Sequence, residues 1–337
     1  MGTIQGIYEV GIGTLDLLAQ VQYWQQFGYR IGEIGRLSPE GAERLYGVRS
    51  GLQSVRLLHQ NADHGLLRLM AWESPTGPGL GLASMKVIGN RWGTTLTNDL
   101  LNLLNHFELL AQRSPDTYRY TEPLWSQIYA SATPARAWVD PLLGVRESLW
   151  LTPLTRHVFF QRFNYQLPHY GSVNPHSFFQ TSQITHVGLV IQDDSSEVLD
   201  FYDQVLGLLR ARDGLVDRYE DNPAARPILD LGPGDYYYTT DFDDPRSSVT
   251  DISQVRSGRL KVIRFPQAMA LENKLLESRP GQLGISLYTY RVQPISEFWE
   301  RVKASAATQV TEIIQNEFQE PSFSFMAPDG YFWTLVG

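Results

Sequence analysis

Two side chains stand out because of where the sequence puts them. His186 lies in the run ITHVGLVI (184–191) and Glu9 in IYEVGIG (7–13). Both runs alternate as strands do, so His186, Gly188 and Val190 share one face, and Val187, Leu189 and Ile191 the other. An imidazole titrates near neutral pH and suits proton transfer or metal ligation. His186 therefore has three readings: a metal ligand, a neutral hydrogen-bonding or acid–base residue, or a structural histidine. A carboxylate on the inward face of an apolar strand needs a partner. Glu9 is then a ligand, a general base, or one half of a structural ion pair, the last being the leading reading.

Several chemistries are excluded by composition. The 337 residues contain no cysteine, which removes disulfides, zinc–thiolate sites, iron–sulfur clusters and thiol nucleophiles together. The net charge is −8 and there is no Lys/Arg run, so nucleic acid is not an expected partner. Lysine occurs only at 86, 261, 274 and 303. No apolar stretch reaches membrane-spanning length, and the first residues lack a secretory pattern, so a cytoplasmic protein without a membrane partner is expected. The pair Gly11 and Gly13 lacks the rest of a dinucleotide fingerprint, and no phosphate loop, nucleophile elbow or His-Glu-x-x-His helix occurs.

The elements that must position these residues repeat along the chain. After ITHVGLVI, Leu199, Tyr202, Val205 and Leu206 recur at helical spacing. Gly207 is placed to stop that helix in a left-handed cap, and a strand, LLRARDG, follows. The N-terminus repeats the plan, with Glu9 at the place of His186, Tyr23 at Tyr202, Phe27 at Leu206 and Gly28 at Gly207. Another copy starts at GQLGISLYTY, continues through the helix PISEFWERVKASA, and ends in APDGYFWTLVG, where Asp329-Gly330 forms a tight turn between strands. The most diverged copy takes GLASMKVIG as first strand and LTNDLLNLLNHFELLAQ as helix, with an insertion near 113–148 rich in Pro, Trp and Arg.

The combination of ITHVGLVI, FYDQVLGL and a terminal APDGYFWTLV resembles the vicinal-oxygen-chelate superfamily, which includes glyoxalase, bleomycin-resistance and type I extradiol dioxygenase proteins. The resemblance implies an α+β fold of four βαβββ modules paired into two domains, whose curved mixed sheets form cups with helices outside. It places an N-terminal domain at 1–172 and a C-terminal one at 180–337, each of two modules. In metal-dependent members the ligands sit on first and last strands, facing the cup. Carried over, the extradiol pattern keeps His186, but its second histidine falls on Gly284 and its glutamate on Thr334. None of the seven histidines lies beyond 186, so no register restores the pair. The glyoxalase pattern falls on Glu9, Ser84, His186 and Gly284 in first strands, and on Leu69 and Thr334 in last strands. His59 and His64 lie near a loop that reaches toward the cup.

The expected protein is thus a small-molecule binder with a degenerate metal site. His186 and Glu9 are its candidate catalytic residues, and Ser84, Ser286, Tyr288, Phe332 and Thr334 its ligand-binding ones. The ligand is apolar or aromatic. No cofactor is expected; iron, manganese, zinc or nickel at a rearranged site is the alternative, and with it a lyase, isomerase or ring-cleaving dioxygenase built around His186 or Glu9. A second alternative is an interaction protein, a homodimer for example, that uses the insertion and its aromatic and arginine side chains as an interface.

Overall fold

The computed structural model describes residues 2–60, 62–127 and 143–337. Module one runs β1 (Thr3–Gly13), α1 (Leu17–Gln25), β2 (Tyr29–Leu37), α2 (Pro39–Tyr46), β3 (Leu52–His59) and β4 (Leu66–Trp72). Module two runs β5 (Arg91–Thr97), α3 (Leu100–Arg113), β6 (Arg119–Tyr120), β7 (Leu124–Gln127), β8 (Gly144–Leu151) and β9 (Arg156–Phe163). Module three has β10 (Thr181–Gln192), β11 (Leu209–Arg218), α4 (Ala225–Ile228), β12 (Tyr236–Asp243) and β13 (Arg259–Phe265). Module four has β14 (Gly284–Gln293), α5 (Ile295–Lys303), β15 (Ile314–Gln315), β16 (Pro321–Met326) and β17 (Phe332–Val336).

Local signals set most of these elements. Asp16 and Asp99 cap α1 and α3 by accepting from the amides of Ala19 and Asn102. Gly28 and Gly207 both adopt positive φ, +88° and +84°, as the repeat requires of its stop residues. Two expectations change. The helix after β10 is a 3₁₀ turn at Glu197–Leu199 followed by a π turn at Phe201–Val205, although Leu199, Tyr202 and Leu206 are buried as their spacing demands. The first strand of module two is Arg91–Thr97, and the segment expected to form it is a chain of turns and bends. Of the insertion, residues 128–142 lie outside the described residues.

The sheets pair the modules in a nested order. One sheet runs β15-β16-β17-β14-β1-β4-β3-β2 and joins modules four and one; the other runs β11-β12-β13-β10-β5-β9-β8-β6 and joins modules three and two. The sequential pairing expected, one with two and three with four, is not formed. Each module offers the free edge of its first strand, and any two such edges can pair antiparallel. Residues 73–90 cross from one sheet to the other, 266–283 cross back, and the two crossovers touch at the bridges Gly77–Gln282 and Ile88–Asn273. The convex faces of both sheets share one apolar core with α1, α3, α5 and the turns after β10. The concave faces form separate cups, with their own clusters around Trp92, Val190 and Ile263 in one and Met70, Trp72 and Leu287 in the other.

Candidate functional site

The cup of modules one and four is filled. Glu9 faces it, as alternation requires, and is fully buried between the guanidinium groups of Arg56 on β3 and Arg68 on β4. Arg68 Nε donates to Glu9 Oε2 at 2.8 Å, and its Nη1 reaches the Tyr46 hydroxyl at 2.7 Å and Glu317 at 3.4 Å. Arg56 also pairs with Glu33 and, at 2.6 Å, with Glu320. The Phe318 ring lies 4.2 Å from the Arg56 guanidinium carbon, so the segment Asn316–Glu320 closes over the network. Helix α2 packs Ala42, Leu45 and Tyr46 onto the remaining concave surface, against Met70, Trp72, Leu287 and Phe332. Both Glu9 oxygens are occupied by arginines, so the carboxylate is free for neither a metal nor a substrate.

The residues expected to bind a ligand in this cup do not form a site. Phe332 packs in the cluster under α2, and Thr334 bonds Ser324 at 2.8 Å. Tyr288 points the other way. The register of β14 against β1 passes from Leu287–Gly11 to Ile285–Ile12, which leaves Ser286 as an extra bulged residue. A bulge reverses the alternation beyond it. Tyr288 therefore enters the core between the sheets, where its hydroxyl reaches the carbonyls of Gly188 at 2.9 Å and Trp92 at 3.0 Å. Ser286 is buried with its hydroxyl unpartnered. Ser84 lies in the turns before β5, where its hydroxyl accepts from the Lys86 amide. In β4 the residue facing the cup is Arg68, one before the expected Leu69, which belongs to the opposite core.

The cup of modules two and three is open, and His186 stands in it. Two chambers of about 350 Å³ and 280 Å³ meet there. The first is walled by Phe160, Tyr165, Leu167, Tyr170, Val249 and Val255, the second by Trp92, Val158, Ile228, Leu229, Tyr237 and Ile263. Glu147, His186, Arg212 and Lys261 line both chambers and so form a polar waist between them. Gly188, beside Lys261 in the β10–β13 register, makes room for this wall: any side chain there would overlap the Trp92 indole.

The electrostatics of the waist follow from burial and from arginine. His186 Nδ1 is engaged by the hydroxyls of Tyr170 at 3.0 Å and Thr185 at 3.1 Å. Burial, together with Lys261, Arg259 and Arg162, holds its pKa well below the usual imidazole range, so the ring is neutral at pH 7. Burial raises the Glu147 carboxyl, with Lys261 opposing. Arg259 is held by Asp241 and Asp243, and Arg212 lies 3.7 Å from Asp241.

Among the described residues no three His, Cys, Asp or Glu side chains converge. The β13 residue opposite His186 is Arg259 and the β5 residue is Thr94, and a neighbourhood of Lys261, Arg259 and Arg162 repels a divalent cation. His59 and His64 lie elsewhere: His59 is buried against the Phe27 carbonyl, and His64 pairs with Asp63 and Ser257.

Sequence reasoning found His186 but missed its companions. Misplacing the first strand of module two hid Trp92 and Thr94. Lys261 did carry a signal: it is one of four lysines in the chain and stands in the middle of a strand, RLKVIRF, whose other interior residues are largely apolar. Glu147 and Arg212 had none, because only the tertiary fold curls β8 and β11 toward β10.

No family model matches the sequence, and neither does any curated protein. The structure does have counterparts. A glutamate-to-glutamine variant of glyoxalase I from Zea mays is 11% identical with a TM-score of 0.53, over 99% of this chain and 94% of that one. Glyoxalase I from Zea mays itself gives 11% and 0.50 over 99% and 92%. A protein assigned as a dioxygenase from Bacillus subtilis gives 9% and 0.54 over 99% and 85%. Likeness over almost the whole chain, at identities this low, concerns architecture: the chain has the same fold as these glyoxalase I and dioxygenase-assigned structures.

Proposed function

We propose that the protein binds an apolar or aromatic small molecule in the cup of modules two and three, with no metal at its base. The observation that carries this reading is the contrast between the cups. The one holding Glu9 is closed by an ion-pair network and α2, whereas the one holding His186 keeps two connected chambers with aromatic and aliphatic walls. Concave, mostly apolar surfaces with a few convergent polar groups are where small ligands bind.

The test is a fluorescence titration with the uncharged probe N-phenyl-1-naphthylamine, comparing the natural chain with Ile263→Phe and Leu215→Trp. Ile263 lies in the base of the second chamber and Leu215, 46% exposed, at its rim. Both larger side chains project into the space the probe needs, so each is expected to weaken binding at least tenfold. Unchanged affinity in both variants overturns the assignment to this cup.

A second reading, a metal-independent enzyme that moves a proton, is favoured by titratable groups gathered at the waist. Glu147, whose raised pKa brings it closer to neutrality, suits the base role better than the weakly basic His186. Under that reading Glu147→Gln removes turnover of a bound molecule by orders of magnitude while its affinity stays within a few fold.

A further inference from the structure

We propose that the ligand of this cup is a small organic acid, its oxyanion held at the waist by the Lys261 ammonium and its apolar body in the flanking chambers. This rests on the binding reading above and adds the chemical class of the ligand.

Among the described residues Lys261 has neither an ion pair nor a hydrogen bond, although it is half-buried. The other cations around the cup are satisfied. Arg259 is shared by Asp241 and Asp243, Arg212 faces Asp241, and Arg162 donates to the Tyr170 carbonyl at 2.8 Å. A cation withdrawn from water without an acceptor is unfavourable, and a ligand oxyanion relieves it.

Position makes the same point. Lys261 belongs to the four residues that line both chambers, so an anion on its ammonium sits between two apolar spaces. Glu147 is within the field of Lys261 but forms no ion pair with it, and burial raises its carboxyl against the pull of that ammonium. After burial, the largest influences on His186 are the cations Lys261, Arg259 and Arg162, and of these Lys261 is the one without an ion pair among the described residues. An aromatic or aliphatic acid satisfies both features; a neutral hydrocarbon leaves the ammonium with only the longer-range attraction of Asp241, its cross-strand neighbour on β12, and of Glu147.

The experiment pairs two probes that differ by one anionic group, N-phenyl-1-naphthylamine and 8-anilinonaphthalene-1-sulfonate, titrated against the full chain, Lys261→Met and Lys261→Arg. The sulfonate is expected to bind the natural chain at least tenfold more tightly than the amine. Lys261→Met is expected to erase that preference, lowering the affinity for the sulfonate at least tenfold more than that for the amine, and Lys261→Arg to retain it. Equal affinity of the two probes for the natural chain overturns the proposal without any variant, and so does a preference that survives in Lys261→Met. Binding of the amine without preference for the sulfonate sinks only the organic-acid assignment, whereas failure of both probes to bind sinks the cup reading beneath it.

Discussion

Glu9→Gln separates a structural carboxylate from a functional one. Three arginine N–H contacts converge on Glu9: Arg56 Nε on one oxygen, and Arg68 Nε and Nη2 on the other. A glutamine keeps one acceptor oxygen but turns an NH₂ toward a guanidinium, so donors face donors at a site that is fully buried. Breaking a buried ion pair from one side costs roughly 3–5 kcal/mol. The lower end applies, about 3 kcal/mol, because Arg56 keeps Glu33 and Glu320 and Arg68 keeps Glu317. With an unfolding entropy of ~2.1 cal/mol/K per residue and 337 residues, that loss lowers Tm by about 4 °C. The assay is thermal unfolding followed by circular dichroism, run beside the naphthylamine titration. Binding is expected to be unchanged, since Glu9 faces the other cup. A Tm within about 1 °C of the natural chain would refute the account of the network. Loss of binding in a folded variant would refute the choice of cup.

Two further outcomes follow from the same geometry. Burial lowers His59 to about 4 and His157 to about 3, so the unfolded chain takes up those protons first as pH falls. Their contribution is complete above the ordinary value near 6.5 and is lost as pH falls from there to about 4 for His59 and about 3 for His157, each histidine adding a slope of ~1.4 kcal/mol per pH unit. Urea unfolding measured across that window is expected to show His157→Gln with a slope shallower by ~1.4 kcal/mol per pH unit than the natural chain; an unchanged slope in the variant contradicts the burial of that ring. Tyr288→Phe removes the hydroxyl that reaches the carbonyls of Trp92 and Gly188, for a loss of about 1–2 kcal/mol. Probe affinity is expected to hold, and a large fall in it would show that Tyr288 contacts the ligand.

The sequence by itself determined the module. The alternation around His186 and Glu9, the glycine stops at Gly28 and Gly207, and the Asp329-Gly330 turn are local signals, each read from a few neighbouring residues, and the structure uses all of them. That no histidine lies beyond 186 was equally legible. Local signals stop where the contact is distant. That β1 pairs with β14 rather than β5 is a contact between residues some 280 positions apart, which no run of neighbouring residues displays. The bulge at Ser286 turns Tyr288 from the cup to the core, and alternation counted along the strand cannot register an extra residue that only the partner strand defines. Likewise Glu9 and His186 hold equivalent places in their modules, and nothing near either residue says that one cup is filled by Arg56, Arg68 and the Asn316–Glu320 segment while the other stays open. That difference arises from side chains brought together across some 300 residues of chain, from Glu9 to Glu320, and only the folded structure assembles them.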